Sequence, residues 1–158
     1  MSENFLGVFF LLDIVAFLAA VFMHLAKRSR SLVRLYALQS LAVSMTFFLL
    51  GFLGGDRSLM VVASIIFFVK VIIAPAFFGK IIRKLTGSSS TNDYLGTPMT
   101  LLVLTGLVLF SFSKVFLPLS AIYPQAFVSV ALNIALVFIS IFLLINRRGV
   151  FAQMVGML

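Results

Sequence analysis

The sequence predicts an all-α fold, a polytopic bundle of transmembrane helices with five complete spans, a truncated sixth, and the N-terminus outside. Three observations carry that expectation. The chain is 63% hydrophobic and only 10% charged, whereas a soluble domain has about 45–50% apolar and about 25% charged residues. Its apolar runs repeatedly reach the roughly 20 residues that a helix needs to cross a bilayer. They are continuous rather than alternating, so they read as helices that satisfy their own backbone in lipid and not as β-barrel strands.

The spans fall near Phe5–Leu25, Leu35–Gly54, Leu59–Phe78, Met99–Leu117 and Gln125–Ile145, with a partial one over Val150–Leu158. Residues 1–158 thus form a single transmembrane domain, with no room for a folded soluble one. Ser2 to Asn4 lacks the basic start of a cleavable signal peptide, and the first apolar run is too long for one. The polar stretch LTGSSSTNDYLGTP, residues 85–98, reads as a cytoplasmic loop. Thr97 and Pro98 at its end suit an N-cap and a first helical position.

Orientation follows from the basic residues. Lys27, Arg28, Arg30 and Arg34 lie in the first connection, Lys80, Arg83 and Lys84 in the third, and Arg147 and Arg148 in the fifth. The second connection holds only Arg57 beside Asp56, and the fourth, SAIYPQ, holds no charge. Nine of the twelve basic residues therefore share one side, which the positive-inside rule places in the cytoplasm. The net charge of +8 is spread over short connections between membrane helices. That distribution fits contact with anionic lipid rather than with nucleic acid.

Several chemistries are excluded. There are no cysteines, so disulfides, thiolate metal ligands and cysteine nucleophiles are absent, and the one histidine cannot supply a haem pair. No phosphate-binding loop, zinc-helix, serine-elbow or dinucleotide motif occurs. The chain is expected to hold no catalytic residue, no metal and no cofactor of its own.

What remains informative is the polar content of the spans. Asp13 interrupts FFLLDIVAF near the centre of the first, and Lys70 interrupts SIIFFVKVIIAPAFF near the centre of the third. Lys114 lies in the outer half of the fourth, one turn from Pro118, where it can snorkel or meet a partner subunit. Gln39, Ser44 and Thr46 mark the second span, and Asn133 and Ser140 the fifth. Insertion scales put Asp or Lys at a helix centre at roughly +2.5 to +3.5 kcal/mol, so such groups face protein or water. Asp13 and Lys70 fall at similar depth. They read as an ion pair that fixes helix docking, as a pair with a role in proton movement, or as two residues that do not touch. The assignment to an ion path runs Lys70 first, then Asp13, then Lys114. Pro75 removes the hydrogen bond to the Val71 carbonyl and marks a candidate kink. His24, next to Lys27 and Arg28, reads as an interfacial histidine.

The last stretch, SIFLLINRRGVFAQMVGML, resembles the helix, basic turn and next-helix start of the K-type subunit of complex I and the C-type subunit of multisubunit Na⁺/H⁺ antiporters. With LYALQSLAVSM at Leu35–Met45 and VKVIIAPAFFGKIIRKL at Val69–Leu85, most of the chain resembles component E of hydrogenase-4. The distinctive pieces are YALQS, Lys70 five residues before Pro75, the Lys80–Arg83–Lys84 end and the Arg147–Arg148 turn. The resemblance implies a non-catalytic membrane subunit of an oxidoreductase complex in a prokaryotic inner membrane, an energy-converting hydrogenase or formate hydrogenlyase. Its partners would be antiporter-like subunits and the membrane anchor of the redox arm, and its work proton or sodium translocation. It also implies a proton-carrying glutamate just past GML, a position beyond Leu158; the nine-residue partial span reads as a chain that has lost its tail, as a span completed by another chain, or as a segment along the interface. Two other roles fit the residues: a purely structural subunit, or a small stand-alone transporter, although no internal repeat supports the latter.

Overall fold

The computed structural model describes residues 3–84, 92–116, 118 and 127–148. They form α1 (Glu3–Leu25), α2 (Ser29–Gly54), α3 (Arg57–Ile66), a π-helical segment (Phe67–Ile73) that runs directly into α4 (Ala74–Lys84), α5 (Thr97–Ser111), a 3-10 turn (Lys114–Phe116) and α6 (Phe127–Asn146). Asn92–Asp93 and Arg147–Arg148 add a two-residue antiparallel pairing, with Asn92 opposite Arg148 and Asp93 opposite Arg147. The fold is all-helical apart from that clip. The expected partial span over 150–158, and most of the loop over 85–98, lie outside the described residues.

Four helical stretches are long and apolar enough to cross a membrane: Leu6–Leu25, Ser29–Gly54, Arg57–Ile82 and Phe127–Asn146. Two of them exceed the sequence expectation. The second starts at Ser29 rather than Leu35, because Ser29, Leu32, Val33 and Tyr36 are already buried there. The third continues past Phe78 to the basic end.

The fourth expected span, over 99–117, is corrected. α5 has 15 residues, about 22 Å at 1.5 Å per residue, against a hydrocarbon core of roughly 30 Å. Its last turn tightens: the Phe112 and Ser113 N–H groups donate to Leu109 and Phe110, three residues back. The Ser111 hydroxyl donates at 2.7 Å to the Val108 carbonyl, the acceptor that the Phe112 N–H would use in a continued α-helix. Pro118 has no N–H to donate to Lys114, so α5 cannot run on through it with an unbroken hydrogen-bond ladder. The N-cap of α5 is Gly96 rather than Thr97, since the Thr100 N–H already donates to the Gly96 carbonyl at 3.0 Å.

Packing is inverted relative to a soluble bundle. The buried set is rich in small residues, among them Ala16, Ala20, Ala131, Ala135, Ser40 and Ser44. Each pair is spaced by four, the interval at which small side chains let membrane helices approach closely. Large apolar side chains point outward instead, as at Leu11, Phe52, Ile65, Phe68 and Ile145. Water would penalise that arrangement, whereas lipid or a partner subunit would not.

Neighbouring elements set the direction of each helix. Asp13 lies beside Ser129 and Asn133, and His24 beside Ile139 and Phe142, so α1 and α6 run the same way. Arg30 and Arg34 on α2 face Gly79 and Ile82 on α4. The Tyr94 N–H donates to the Asn146 carbonyl at 2.9 Å and ties the approach to α5 to the end of α6. The three basic connections therefore lie at one end of the bundle.

The opposite end is closed by the α2–α3 turn. Gly55 adopts φ +66°, a left-handed conformation that glycine takes without a Cβ penalty, and its N–H and that of Asp56 both reach the Gly51 carbonyl. Asp56 then caps α3 by accepting from Ser58 N–H at 2.8 Å. A Cβ on Gly51 would stand 2.9 Å from the Met60 backbone nitrogen and 3.0 Å from the Asp56 carbonyl oxygen. Because both are main-chain atoms, Gly51→Ala must push the helices apart. It is expected to destabilise the fold by about 1–3 kcal/mol, read as a lowered thermal midpoint of the detergent-solubilised chain.

Candidate functional site

Lys70 lies within the π-helical segment, and the local sequence explains that segment. The Ala63 carbonyl accepts the Phe67 N–H and also the Ser44 hydroxyl of α2, at 2.9 Å. A side chain inserted at one carbonyl is a recognised way of disturbing the helical ladder. At the far end the Ala74 N–H reaches back five residues to the Val69 carbonyl. Pro75 follows at once. In an uninterrupted α-helix its ring would crowd the Val71 carbonyl; the wider turn before it moves the carbonyls out of that register. The expected kink at Pro75 thus takes the form of a π turn, a feature that frequently marks functional positions.

The chain on either side of Lys70 shows which way the site faces. Phe68, Val69, Ile72 and Ile73 are exposed, while Lys70 itself is half-buried. The polar residue turns inward and the apolar ones turn out, the arrangement expected where the surroundings are lipid. Lys70 lines a cleft of about 640 Å³ between α2, the π segment and α6, with Tyr36, Gln39, Ser40, Asn133 and Ser140 as its other polar groups. Tyr36 and Ser40 are buried one turn apart on α2, and the Tyr36 ring meets Phe78 edge-on at 6.4 Å.

Asn133 belongs to this cleft and to a second polar cluster. The Asp13 carboxylate on α1 lies beside the side chains of Ser129 and Asn133. Asn133 Nδ2 also donates to the Ser129 carbonyl at 2.8 Å. An amide carries two N–H groups, so one can hold the helix while the other addresses the carboxylate. The partners shown for Asp13 are thus on α6, and Asn133 adjoins both the carboxylate and the cleft that holds Lys70.

The remaining candidates separate from this group. Lys114 stands exposed on the 3-10 turn beyond α5 and is not part of the cleft wall. His24 is buried rather than interfacial, 2% exposed. Its ring stacks on Phe142 at 5.1 Å, and its Nε2 lies 3.1 Å from the Ile139 carbonyl oxygen, to which it donates. Among the described residues no three His, Cys, Asp or Glu side chains gather where they could hold a metal ion.

Sequence reasoning missed Tyr36 and Ser40. The signal was present: Tyr36, Ser40 and Ser44 recur every four residues along α2, and Gln39 sits beside them. Chemically, an ammonium and a carboxylate embedded in apolar helices, with an amide and hydroxyls alongside, make a set of groups able to hold water and exchange protons. No family model, curated protein or solved structure matches the chain.

Proposed function

We propose that this chain is a non-catalytic, multi-pass membrane subunit of a redox-driven ion-translocating complex, and that it supplies part of a buried polar path through Lys70, Asn133 and Asp13. One observation carries the reading: Asn133 adjoins both the Asp13 carboxylate and the cleft of Lys70. Charged groups at such depth are costly and usually mark ion or proton routes. The resemblance to component E of hydrogenase-4 supplies the wider setting. In that setting the complex is an energy-converting hydrogenase or a complex I-like assembly of a prokaryotic inner membrane, the ion H⁺ or Na⁺. The basic end then faces the cytoplasm and the N-terminus the outside, as the charge bias requires. The outward apolar side chains meet lipid and the neighbouring subunits.

Asn133→Leu tests the link between the two clusters. It keeps size and helix propensity while deleting the amide. Redox-driven acidification of inverted membrane vesicles is expected to fall by about a hundredfold, the lower end of what a positioned proton-transfer group contributes, with the complex intact on blue-native gels. Full pumping in an intact complex would leave the subunit a scaffold, the alternative that also fits the small-residue packing.

A further inference from the structure

A second cavity lies at the basic end, away from the Lys70 cleft. It has a volume of about 550 Å³ and is lined by Arg30, Arg34, Ala37, Pro75 and Gly79, with Val33 and Ile82 completing the wall. Arg30 and Arg34 are one helical turn apart, so their guanidinium groups share one face of α2. The opposing wall on α4 is apolar, made by Pro75, Gly79 and Ile82. A Cβ placed on Gly79 would find no atom within 4 Å.

Charge makes this cavity unusual. The chain has only four acidic residues. Glu3 opens α1 and Asp56 caps α3, both at the opposite end, and Asp13 is engaged on α6. Only Asp93 belongs to the basic end, where nine cations collect. Arg30 and Arg34 also occupy the first two turns of α2, where the helix dipole adds to their positive charge instead of offsetting it. The fold therefore concentrates cations beside an apolar slot, and among the described residues no carboxylate lines that slot.

We propose that the cavity binds an anionic phospholipid, with the phosphate between Arg30 and Arg34 and an acyl chain along Ala37, Pro75 and Gly79. Guanidinium forks match phosphate oxygens in geometry as well as charge. The adjoining apolar wall distinguishes a lipid from a free phosphate, which has nothing to place there. Basic pockets between membrane helices are a common form of headgroup site.

Native mass spectrometry of the purified full-length chain, titrated in turn with phosphatidylglycerol, phosphatidylcholine of the same acyl chains and inorganic phosphate, tests this. Two arginines near the headgroup predict a preference of about 30-fold for phosphatidylglycerol over phosphatidylcholine. The double variant Arg30→Gln/Arg34→Gln is expected to bring the two lipids within about twofold of each other. Gly79→Leu fills the slot without touching the charges, and it is expected to weaken phosphatidylglycerol retention by about tenfold. Equal retention of the two lipids, or a preference that survives the double variant, would overturn the proposal. So would inorganic phosphate that competes as well as the lipid does.

Discussion

Lys70→Met is expected to stop redox-driven ion movement while leaving the protein as stable as before, or more so. The two halves of that expectation have separate causes. An ammonium near the middle of a membrane helix costs roughly 2.5–3.5 kcal/mol on insertion scales. Methionine has similar length and no such cost, so the third membrane stretch gains or holds its stability. Function moves the opposite way, because the only cationic side chain in the cleft has gone. A residue whose removal stabilises the fold and abolishes activity is retained for activity, the usual trade at functional sites. Lys70→Arg separates charge from proton exchange. It keeps a cation on the π segment, but a guanidinium does not release its proton in proteins. Pumping in vesicles and thermal midpoint, measured side by side, decide the matter. Intact pumping by Lys70→Met at normal complex abundance would exclude Lys70 from the ion path. A lowered midpoint together with loss of the complex would assign the lysine to assembly.

The membrane character was legible in the sequence because it depends on composition summed over long windows, which single residues barely disturb. Four of the expected spans coincide with helices long enough to cross a membrane. The fourth expected span, over 99–117, has the same apolar composition, but its helix ends at Ser111, where the serine hydroxyl takes a main-chain acceptor. Hydropathy averages do not register such effects. Pro75 was readable as an irregularity, whereas its form was not. The π turn also depends on the Ser44 hydroxyl reaching Ala63, a contact between residues 19 apart that becomes visible only when α2 and α3 pack. Equal depth left contact between Asp13 and Lys70 open. Depth leaves rotation about the helix axis undetermined, and rotation is what carries the Asp13 carboxylate to Ser129 and Asn133.

The clip at the basic end shows how far a single amide can matter in such a fold. Asn146 is 2% exposed. Its Oδ1 accepts from the Leu95 N–H at 3.0 Å, its Nδ2 donates to the Thr100 hydroxyl at 3.2 Å, and its backbone carbonyl accepts from Tyr94. Three separate bonds thus hold the entry of α5 against the end of α6. Asn146→Leu retains the volume and the backbone bond but leaves the Leu95 N–H without its acceptor, while the Thr100 hydroxyl still donates to the Leu95 carbonyl at 3.4 Å. A buried polar group left without a partner costs about 1–3 kcal/mol, which is the destabilisation expected. The measurable results are a lower thermal midpoint and faster proteolytic cleavage near Tyr94, which is already 60% exposed. Thr100→Val also removes the Thr100 hydroxyl's bond to the Leu95 carbonyl, so a double-mutant cycle with Asn146→Leu isolates the Asn146–Thr100 bond, with an expected coupling of about 1 kcal/mol. If the two substitutions prove additive, the Asn146–Thr100 bond contributes nothing of its own. The clip would then rest on the two bonds from the 94–95 backbone.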